Sequence, residues 1–199
     1  MVYNKDIIFF KNIVGCEITS TSLKHWIKER FEVLAVLICS ALRKKIHKIA
    51  AGVVIRRVDG KFLLVREKMP IPGIFRKWNL PMGRKDKGEE PFQNAKREGQ
   101  EETGFDLELG YKVGEYEVII GPLVMLVHIF KANIIGGKLM VPADLLDVEW
   151  FSLEEIERFK HSYSPYELIH PYVLMAISDY IEKEDARQAE MNKAVSRPK

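Results

Sequence analysis

The strongest chemical signal in the sequence is a group of three glutamates, Glu98, Glu101 and Glu102, in the segment REGQEE. At positions i, i+3 and i+4 of a helix, their carboxylates converge on one face within about one turn. Such like charges repel each other, whereas clustered carboxylate oxygens are the ligands that a hard divalent cation such as Mg²⁺ prefers. The spacing therefore predicts a metal site; the alternative is an acidic helix surface that only faces solvent.

The predicted end of this helix favours the metal site. Gly104 is expected just past the last helical residue, a position where glycine is common. Glu101 and Glu102 then fall in the last turn, where the helix dipole disfavours anions. A segment that served helix stability alone would not place carboxylates there.

The residues upstream extend the pattern. Gly83 is followed after five residues by Glu89, and Glu89 is followed after seven by Arg97 and Glu98. Together with the downstream glutamates and Gly104, this resembles the Nudix box, G-x5-E-x7-R-E-U-x-E-E-x-G-U, in which U is a bulky apolar residue. Every fixed glycine, glutamate and arginine of that pattern is present, and an apolar phenylalanine fills the last position.

Gly99 is the one departure, because the family has a bulky apolar residue there. At about 100° per residue, Gly99 shares a helix face with Phe92 and Ala95, and we expect this face to pack on the core. A glycine inside a helix costs about 1 kcal/mol relative to alanine and leaves no side chain to bury. We therefore expect either a closely approaching strand or a large neighbouring side chain that fills the space.

The resemblance implies a fold, an activity and a cofactor. The implied fold is an α/β (α+β) structure, the α/β/α Nudix sandwich with a mixed sheet. The implied activity is hydrolysis of a nucleoside diphosphate linked to another moiety, with Mg²⁺ or Mn²⁺ as the cofactor. Such a phosphoanhydride is anionic, so an enzyme must neutralise its charge and position a water molecule in line. The implied metal ligands are Glu98, Glu101, Glu102 and the carbonyl of Gly83, and the candidate catalytic residues are Glu98, Glu102, Arg97 and Glu89.

Individual roles are less narrowly defined. Arg97 lies four residues before Glu101, so we expect an ion pair that orients the carboxylates rather than a substrate contact. Glu89 is either a metal ligand or a brace between the loop and the helix. The general base is Glu98, Glu102 or an acid of the predicted loop at 141–149. In that loop Asp144 is the candidate, with an ordinary exposed aspartate as the alternative.

The sequence supports candidate substrate-binding residues less strongly than it supports the metal site. Basic side chains can meet phosphates and aromatic rings can stack on a base, although each has the alternative of surface charge or core packing. The candidates are Arg66, Arg76, Trp78, Phe130 and Asp144. His128 lies in an apolar strand and is expected to be a core histidine.

Two short runs, WNLPMG at 78–83 and WFS at 150–152, resemble family members that act on free nucleoside di- or triphosphates. We therefore expect a (d)NTP or NDP substrate and a role in nucleotide-pool housecleaning. The alternatives are an RNA 5′-end pyrophosphohydrolase, an ADP-ribose or nucleotide-sugar pyrophosphatase, and a non-catalytic nucleotide sensor. A net charge of +3, from 31 basic and 28 acidic residues, does not indicate nucleic-acid binding.

Composition fits a globular enzyme. The 199 residues, 47% of them hydrophobic, can form one domain with a core and extensions. Two cysteines, Cys16 and Cys39, provide neither a disulfide framework nor a metal spacing. The apolar run at 33–42 is too short to cross a bilayer, so we expect a cytoplasmic protein that does not bind membranes.

Three regions are predicted along the chain. Residues 1–46 form an extension with an amphipathic helix, which would pack on the main domain or form a homodimer. The alternative is a helix that lies on a membrane surface, because Arg43, Lys44 and Lys45 follow it. Residues 47–160 form the Nudix domain. Its strands are predicted at 49–55, 61–66, 116–120 and 123–132, with turns at 58–60 and at Gly136-Gly137 and a capping box from Ser152 to Glu155. Residues 161–199 form a C-terminal helix that Pro171 kinks or restarts, followed by a charged, frayed tail.

Overall fold

The computed structural model describes residues 46–68, 77–120, 122–159 and 169–195. Several predictions fall outside these residues: the N-terminal helix with its homodimer contact, both cysteines, Arg76, and the segment at 160–168 before the C-terminal helix. Within the described residues, no helix combines the length and the apolar character that crossing a membrane requires.

The described residues form strands and helices in the following order: β1 Ile46–Ile55, β2 Phe62–Glu67, β3 Trp78–Asn79, β4 Met82–Arg84, α1 Pro91–Thr103, β5 Phe105–Ile120, β6 Leu123–Gly137, β7 Leu145–Phe151, α2 Leu153–Phe159 and α3 Pro171–Val195.

The strands form two sheets. The larger sheet has the order β4-β1-β6-β5, and the smaller one has the order β3-β2-β7. In the larger sheet β1 runs parallel to β6, whereas β1 pairs with β4 and β5 pairs with β6 in antiparallel fashion. The mixed sheet predicted from the resemblance is therefore confirmed.

The sheets separate two hydrophobic cores because successive strand residues point to opposite faces. On β1, Ala51 and Val53 face the core that contains Ala95 of α1. Ala50 and Val54 face the other core, to which α3 contributes side chains along its length. Helices therefore cover both faces of the sheet, and the predicted α/β/α sandwich is confirmed. The α3 contribution consists of Tyr172, Val173, Ala176, Ile177 and Tyr180.

Strands β5 and β6 are longer than predicted and meet directly after α1. The turn expected at Gly136-Gly137 is wrong, because both glycines lie in β6 and pair with Asp106 and Phe105 of β5. Gly137 has a φ of 80°, and a Cβ atom there would lie 2.5 Å from the carbonyl oxygen of Gly104. The glycine is needed for this close approach of two backbones, not for a hairpin turn.

Two other local predictions also change. The turn at 58–60 forms, but β1 and β2 bridge only through Arg56 and Phe62 among the described residues and then enter different sheets. The region 141–149 is not wholly a loop, because β7 begins at Leu145, and only Asp144 of the three acids in that region precedes the strand.

The helix boundaries follow the sequence signals closely. Ser152 and Glu155 form the predicted capping box at α2: the Ser152 N–H donates to the Glu155 carboxylate at 2.7 Å, and the Glu155 N–H donates to Ser152 Oγ at 3.2 Å. Helix α3 begins at Pro171, so the proline starts a helix rather than kinking one. The charged segment expected to fray is helical as far as Val195.

The space beside Gly99 is already filled. A Cβ atom on Gly99 would lie 2.8 Å from a methyl group of Leu107 and 2.9 Å from a methyl group of Val53. Both distances are shorter than van der Waals contact, so side chains of β1 and β5 occupy the volume that a bulky residue of α1 would need. The predicted packed face is confirmed at Ala95 and Gly99, whereas Phe92 is 45% exposed.

Gly99→Leu should therefore destabilise the protein by about 1–3 kcal/mol, because a side chain forced into a filled core strains its neighbours. Gly99→Ala is the matched control. Alanine favours the helix by about 1 kcal/mol relative to glycine, and this gain offsets the smaller clash of its methyl group. The free energy of unfolding of Gly99→Ala should therefore stay close to that of the wild type. Urea unfolding of the three proteins tests this, and a Gly99→Leu variant as stable as the wild type would contradict it.

Candidate functional site

Helix α1 is the platform of the site. Its first residue is Pro91, and the preceding Glu90 N–H donates a hydrogen bond to the side-chain oxygen of Gln93 at 3.1 Å. It ends at Gly104, which has a left-handed φ of 72° and donates its N–H to the carbonyl of Gln100 at 2.9 Å. The predicted helix end is therefore confirmed, and the glutamate pair lies in the last turn.

Arg97 connects three of the box glutamates. Its Nε and Nη2 donate to the two oxygens of Glu89 at 2.9 and 3.0 Å. Its Nη1 donates to Glu98 at 2.8 Å and to Glu101 at 3.0 Å. These hydrogen bonds, above all the two that Arg97 donates to Glu89, raise the pKa of Arg97, and the same two lower the pKa of Glu89. The ion pair predicted from the spacing is present, and Glu89 makes the contacts of a brace to the loop before α1.

Gly83 of β4 lies against Glu98. A Cβ atom on Gly83 would be 2.1 Å from the carboxyl carbon of Glu98, so only glycine allows this approach. The Glu98 side chain is 15% exposed and points inward, whereas the Glu101 side chain is 59% exposed. A backbone segment and a carboxylate in direct contact are a donor set that suits a hard cation such as Mg²⁺. The donor types present therefore suit the implied metal, although the described parts of the chain contain no group of three acidic, histidine or cysteine side chains that could hold a metal ion as they are arranged here.

Glu102 is partly buried against β4. Its Oε2 accepts a hydrogen bond from the backbone N–H of Met82 at 2.9 Å. Burial, followed by the nearby negative charge of Glu67, raises the pKa of Glu102 well above its ordinary value. Burial also raises the pKa of Glu98, against the lowering effect of Arg97. Both carboxylates are thus costly to ionise in the metal-free protein.

Three residues of this pocket were not predicted: Glu67, Asn79 and Tyr172. The Asn79 Nδ2 donates to Glu67 Oε1 at 3.1 Å, and the Tyr172 hydroxyl donates to Asn79 Oδ1. The same hydroxyl lies 2.8 Å from the sulfur of Met82. An acid that directly follows an apolar strand, as in FLLVRE, was an available signal for Glu67. Tyr172 carried no such signal, because it reaches the pocket only through the packing of α3.

Asp144 lies near the same pocket. Its negative charge contributes, after burial, to the raised pKa values of Glu67 and Glu102. The structure therefore brings Asp144 towards the box glutamates, and its role as a base or ligand stays a prediction.

Arg66 and Trp78 are occupied by internal contacts. Arg66 forms an ion pair with Asp147, its cross-strand partner on β7, and its guanidinium carbon lies 5.1 Å from the Trp78 ring centroid. The Trp78 side chain is 4% exposed and packs edge-on against Phe151 at 4.6 Å. In this arrangement Arg66 and Trp78 contact other parts of the protein, and neither side chain presents an open surface for a substrate.

Phe130 and His128 lie on β6, beside α1. Phe130 is buried and packs edge-on against Phe92 at 5.4 Å, so its ring belongs to the core rather than to an open stacking surface. His128 is partly buried with its Nδ1 3.3 Å from a carboxylate oxygen of Glu115, and burial lowers its pKa.

The fold and sequence match known proteins. A family model described as the NUDIX domain matches residues 46–171. A Mus musculus protein named oxidized purine nucleoside triphosphate hydrolase is 34% identical over 82 residues, which are 40% of this chain and 52% of the relative. A Bacillus subtilis (strain 168) protein named putative 8-oxo-dGTP diphosphatase is 33% identical over 105 residues, or 51% of this chain and 64% of the relative.

A solved structure named as a NUDIX hydrolase from Nitrosomonas europaea has a TM-score of 0.54 and 26% identity. The match covers 69% of this chain and 90% of that one. By contrast, the chain spans only between about half and two thirds of the length of the two relatives above.

The Arg97 contacts lead to a prediction about metal binding. Arg97→Lys keeps the charge but loses the planar fork that holds three carboxylates at once. Removing such an orienting partner typically lowers metal affinity by about 10–100-fold. Calorimetric titration with Mn²⁺ measures this, with the exposed neighbour Lys96→Gln as the control. Equal Mn²⁺ affinities in the wild type and Arg97→Lys would show that the network does not orient the ligands.

Proposed function

Because the chain belongs to the NUDIX family, whose members are hydrolases, we propose that its substrate is a purine nucleoside triphosphate. The reaction would break a phosphoanhydride bond and release a nucleoside monophosphate and pyrophosphate. The names of the two relatives, an oxidized purine nucleoside triphosphate hydrolase and a putative 8-oxo-dGTP diphosphatase, support an oxidised purine nucleotide as the preferred substrate. The biological role would be the removal of damaged nucleotides from the pool.

The observation that carries the proposal is the complete carboxylate set on α1. Glu98, Glu101 and Glu102 are present, Arg97 contacts two of them, and Gly83 leaves room for Glu98. A domain that only bound a nucleotide would not require this set, which includes two carboxylates that are costly to ionise without a cation. The intact site therefore favours an enzyme over a nucleotide sensor.

Different residues of the site would have different roles in the hydrolysis. The carboxylates of α1 and the Gly83 backbone would hold a divalent cation, which would supply positive charge that offsets the charge of the phosphates. Arg97 holds Glu98 and Glu101 in one orientation, so the ligands need little rearrangement. The oxygen of the attacking water forms a bond to phosphorus while the bond from phosphorus to the leaving phosphate oxygen breaks, and the water proton passes to a carboxylate.

Glu102 is the carboxylate best placed to take that proton. Glu98 is held by Arg97 at 2.8 Å, whereas the hydrogen bond to Glu102 comes from a neutral backbone N–H. A carboxylate that accepts a hydrogen bond from a neutral N–H attracts a proton more strongly than one paired with a guanidinium.

A nucleotide panel tests the substrate proposal. The purified protein with Mg²⁺ is offered 8-oxo-dGTP, dGTP, ADP-ribose, a nucleotide sugar and 5′-triphosphate RNA, and products are separated by chromatography. We expect the highest kcat/KM for 8-oxo-dGTP, with a monophosphate and pyrophosphate as products. Hydrolysis of ADP-ribose or RNA in preference to every nucleoside triphosphate would contradict the proposal.

Glu102→Gln should lower kcat on the preferred nucleotide by at least about 100-fold, because it removes the proton acceptor and a charge from the site. Glu108→Gln, at an exposed position of β5, is the control and should retain wild-type activity. Steady-state kinetics at saturating Mg²⁺ measures both. A Glu102→Gln variant with wild-type kcat would rule out this role for Glu102.

A further inference from the structure

Glu67 lies outside the box, at the end of β2, yet it shares the pocket of Glu102. We propose that Glu67 supplies a further negative charge to the cation-binding pocket, and that Asn79 and Tyr172 are positioning residues that act through it. This inference rests on the metal site of the proposed function and assigns new residues to it.

Strand alternation places Glu67 on the same side as α1. Leu63 and Val65 of β2 lie in the core beneath that helix. Because every second residue of a strand shares a face, Glu67 continues this row beyond the apolar residues. The pairing of β2 with β7 shifts its register between Arg66 and Glu67, but the extra residue, Leu146, lies in β7, so the alternation along β2 continues to Glu67.

A chain of hydrogen bonds fixes the position of Glu67. The Asn79 Oδ1 accepts from the Tyr172 hydroxyl and from the backbone N–H of Leu80, the latter at 2.9 Å. With its oxygen taken by two donors, the Asn79 amide nitrogen is left to donate to Glu67 Oε1 at 3.1 Å. Asn79 and Tyr172 are both buried, so their side chains have little freedom to move. The hydrogen bonds thus run from Tyr172 of α3 through Asn79 of β3 to Glu67 at the end of β2.

The position of Glu67 would affect cation binding because it adds a negative charge near Glu102. The Tyr172 hydroxyl, which donates to Asn79, also lies 2.8 Å from the sulfur of Met82, and the backbone N–H of Met82 donates to Glu102 at 2.9 Å, so Glu67 and Glu102 border the same polar network. The described hydrogen bonds to these two carboxylates come from neutral groups, an amide and a backbone N–H, although Arg84 offsets part of the charge near Glu67. The other glutamates of the box instead contact Arg97. Two carboxylates in one partly buried pocket repel each other, and a divalent cation relieves that repulsion.

The competing explanation is structural: Glu67 would serve only as an acceptor that holds Asn79 in place. The Glu67→Gln variant distinguishes the structural role from the proposed charge role, because glutamine keeps an oxygen that accepts from the Asn79 amide but carries no charge. On our proposal, the variant binds Mn²⁺ about tenfold more weakly in substrate-free calorimetry. Its metal-free melting temperature stays at or above that of the wild type, because a repulsive charge is gone, and its gain in melting temperature with Mg²⁺ is smaller.

Unchanged Mn²⁺ affinity in Glu67→Gln would overturn the proposal, and so would a lowered metal-free melting temperature with an unchanged gain from Mg²⁺. Glu108→Gln is the matched control for the loss of an exposed glutamate, and it should match the wild type in both measurements.

A double-mutant cycle tests the positioning role of Tyr172. Tyr172→Phe removes only the hydroxyl, so we expect Mn²⁺ affinity to fall roughly threefold in the wild-type background, at the low end of couplings between residues in one network. In the Glu67→Gln background the same substitution should have no further effect. An equal loss in both backgrounds would show that Tyr172 does not act through Glu67.

The nucleotide panel separates this inference from the proposed function. If the wild type binds Mn²⁺ and Glu67→Gln binds it more weakly, but no nucleotide is hydrolysed, the proposed function fails and the role of Glu67 stands. If the wild type hydrolyses 8-oxo-dGTP and Glu67→Gln retains its Mn²⁺ affinity, only the role of Glu67 is overturned.

Discussion

The contact on which the rest of the site depends is the fork between Arg97 and the glutamates around it. One guanidinium holds Glu89 by both oxygens and reaches Glu98 and Glu101 as well. It ties the loop before α1 to the middle of the helix and fixes two carboxylates that would otherwise repel each other. The remaining features of the site, the approach of Gly83 and the burial of Glu102, are arranged around carboxylates held in this way.

The acids of the site fall into two electrostatic groups. Glu89, Glu98 and Glu101 contact Arg97, which lowers the pKa of Glu89, although burial still raises the pKa of Glu98. Glu102 and Glu67 receive hydrogen bonds from neutral donors and have raised pKa values, chiefly because of burial. A cation bound beside Glu67 and Glu102 would therefore be electrostatically favourable. Such a cation would also stabilise a helix end that is unfavourable for anions.

How far the sequence predicts this structure depends on how local each signal is. The helix end at Gly104 and the capping box at Ser152 were predicted because each depends on a few neighbouring residues. The Gly136-Gly137 turn was wrong because its glycines serve a contact with Gly104, which is distant in sequence. The box carboxylates were named from their spacing. The network of Glu67, Asn79 and Tyr172 was missed, because three separate elements meet there and no spacing connects them.

The most direct test of the account is the location of the cation itself. Crystals grown with Mn²⁺ and a non-hydrolysable purine nucleoside triphosphate would show the metal by its anomalous scattering. We expect a peak at about 2.0–2.6 Å from oxygens of Glu98 and Glu102 and the backbone of Gly83, with the phosphates beside it. A nucleotide bound elsewhere, or a bound nucleotide with no metal at these carboxylates, would contradict it.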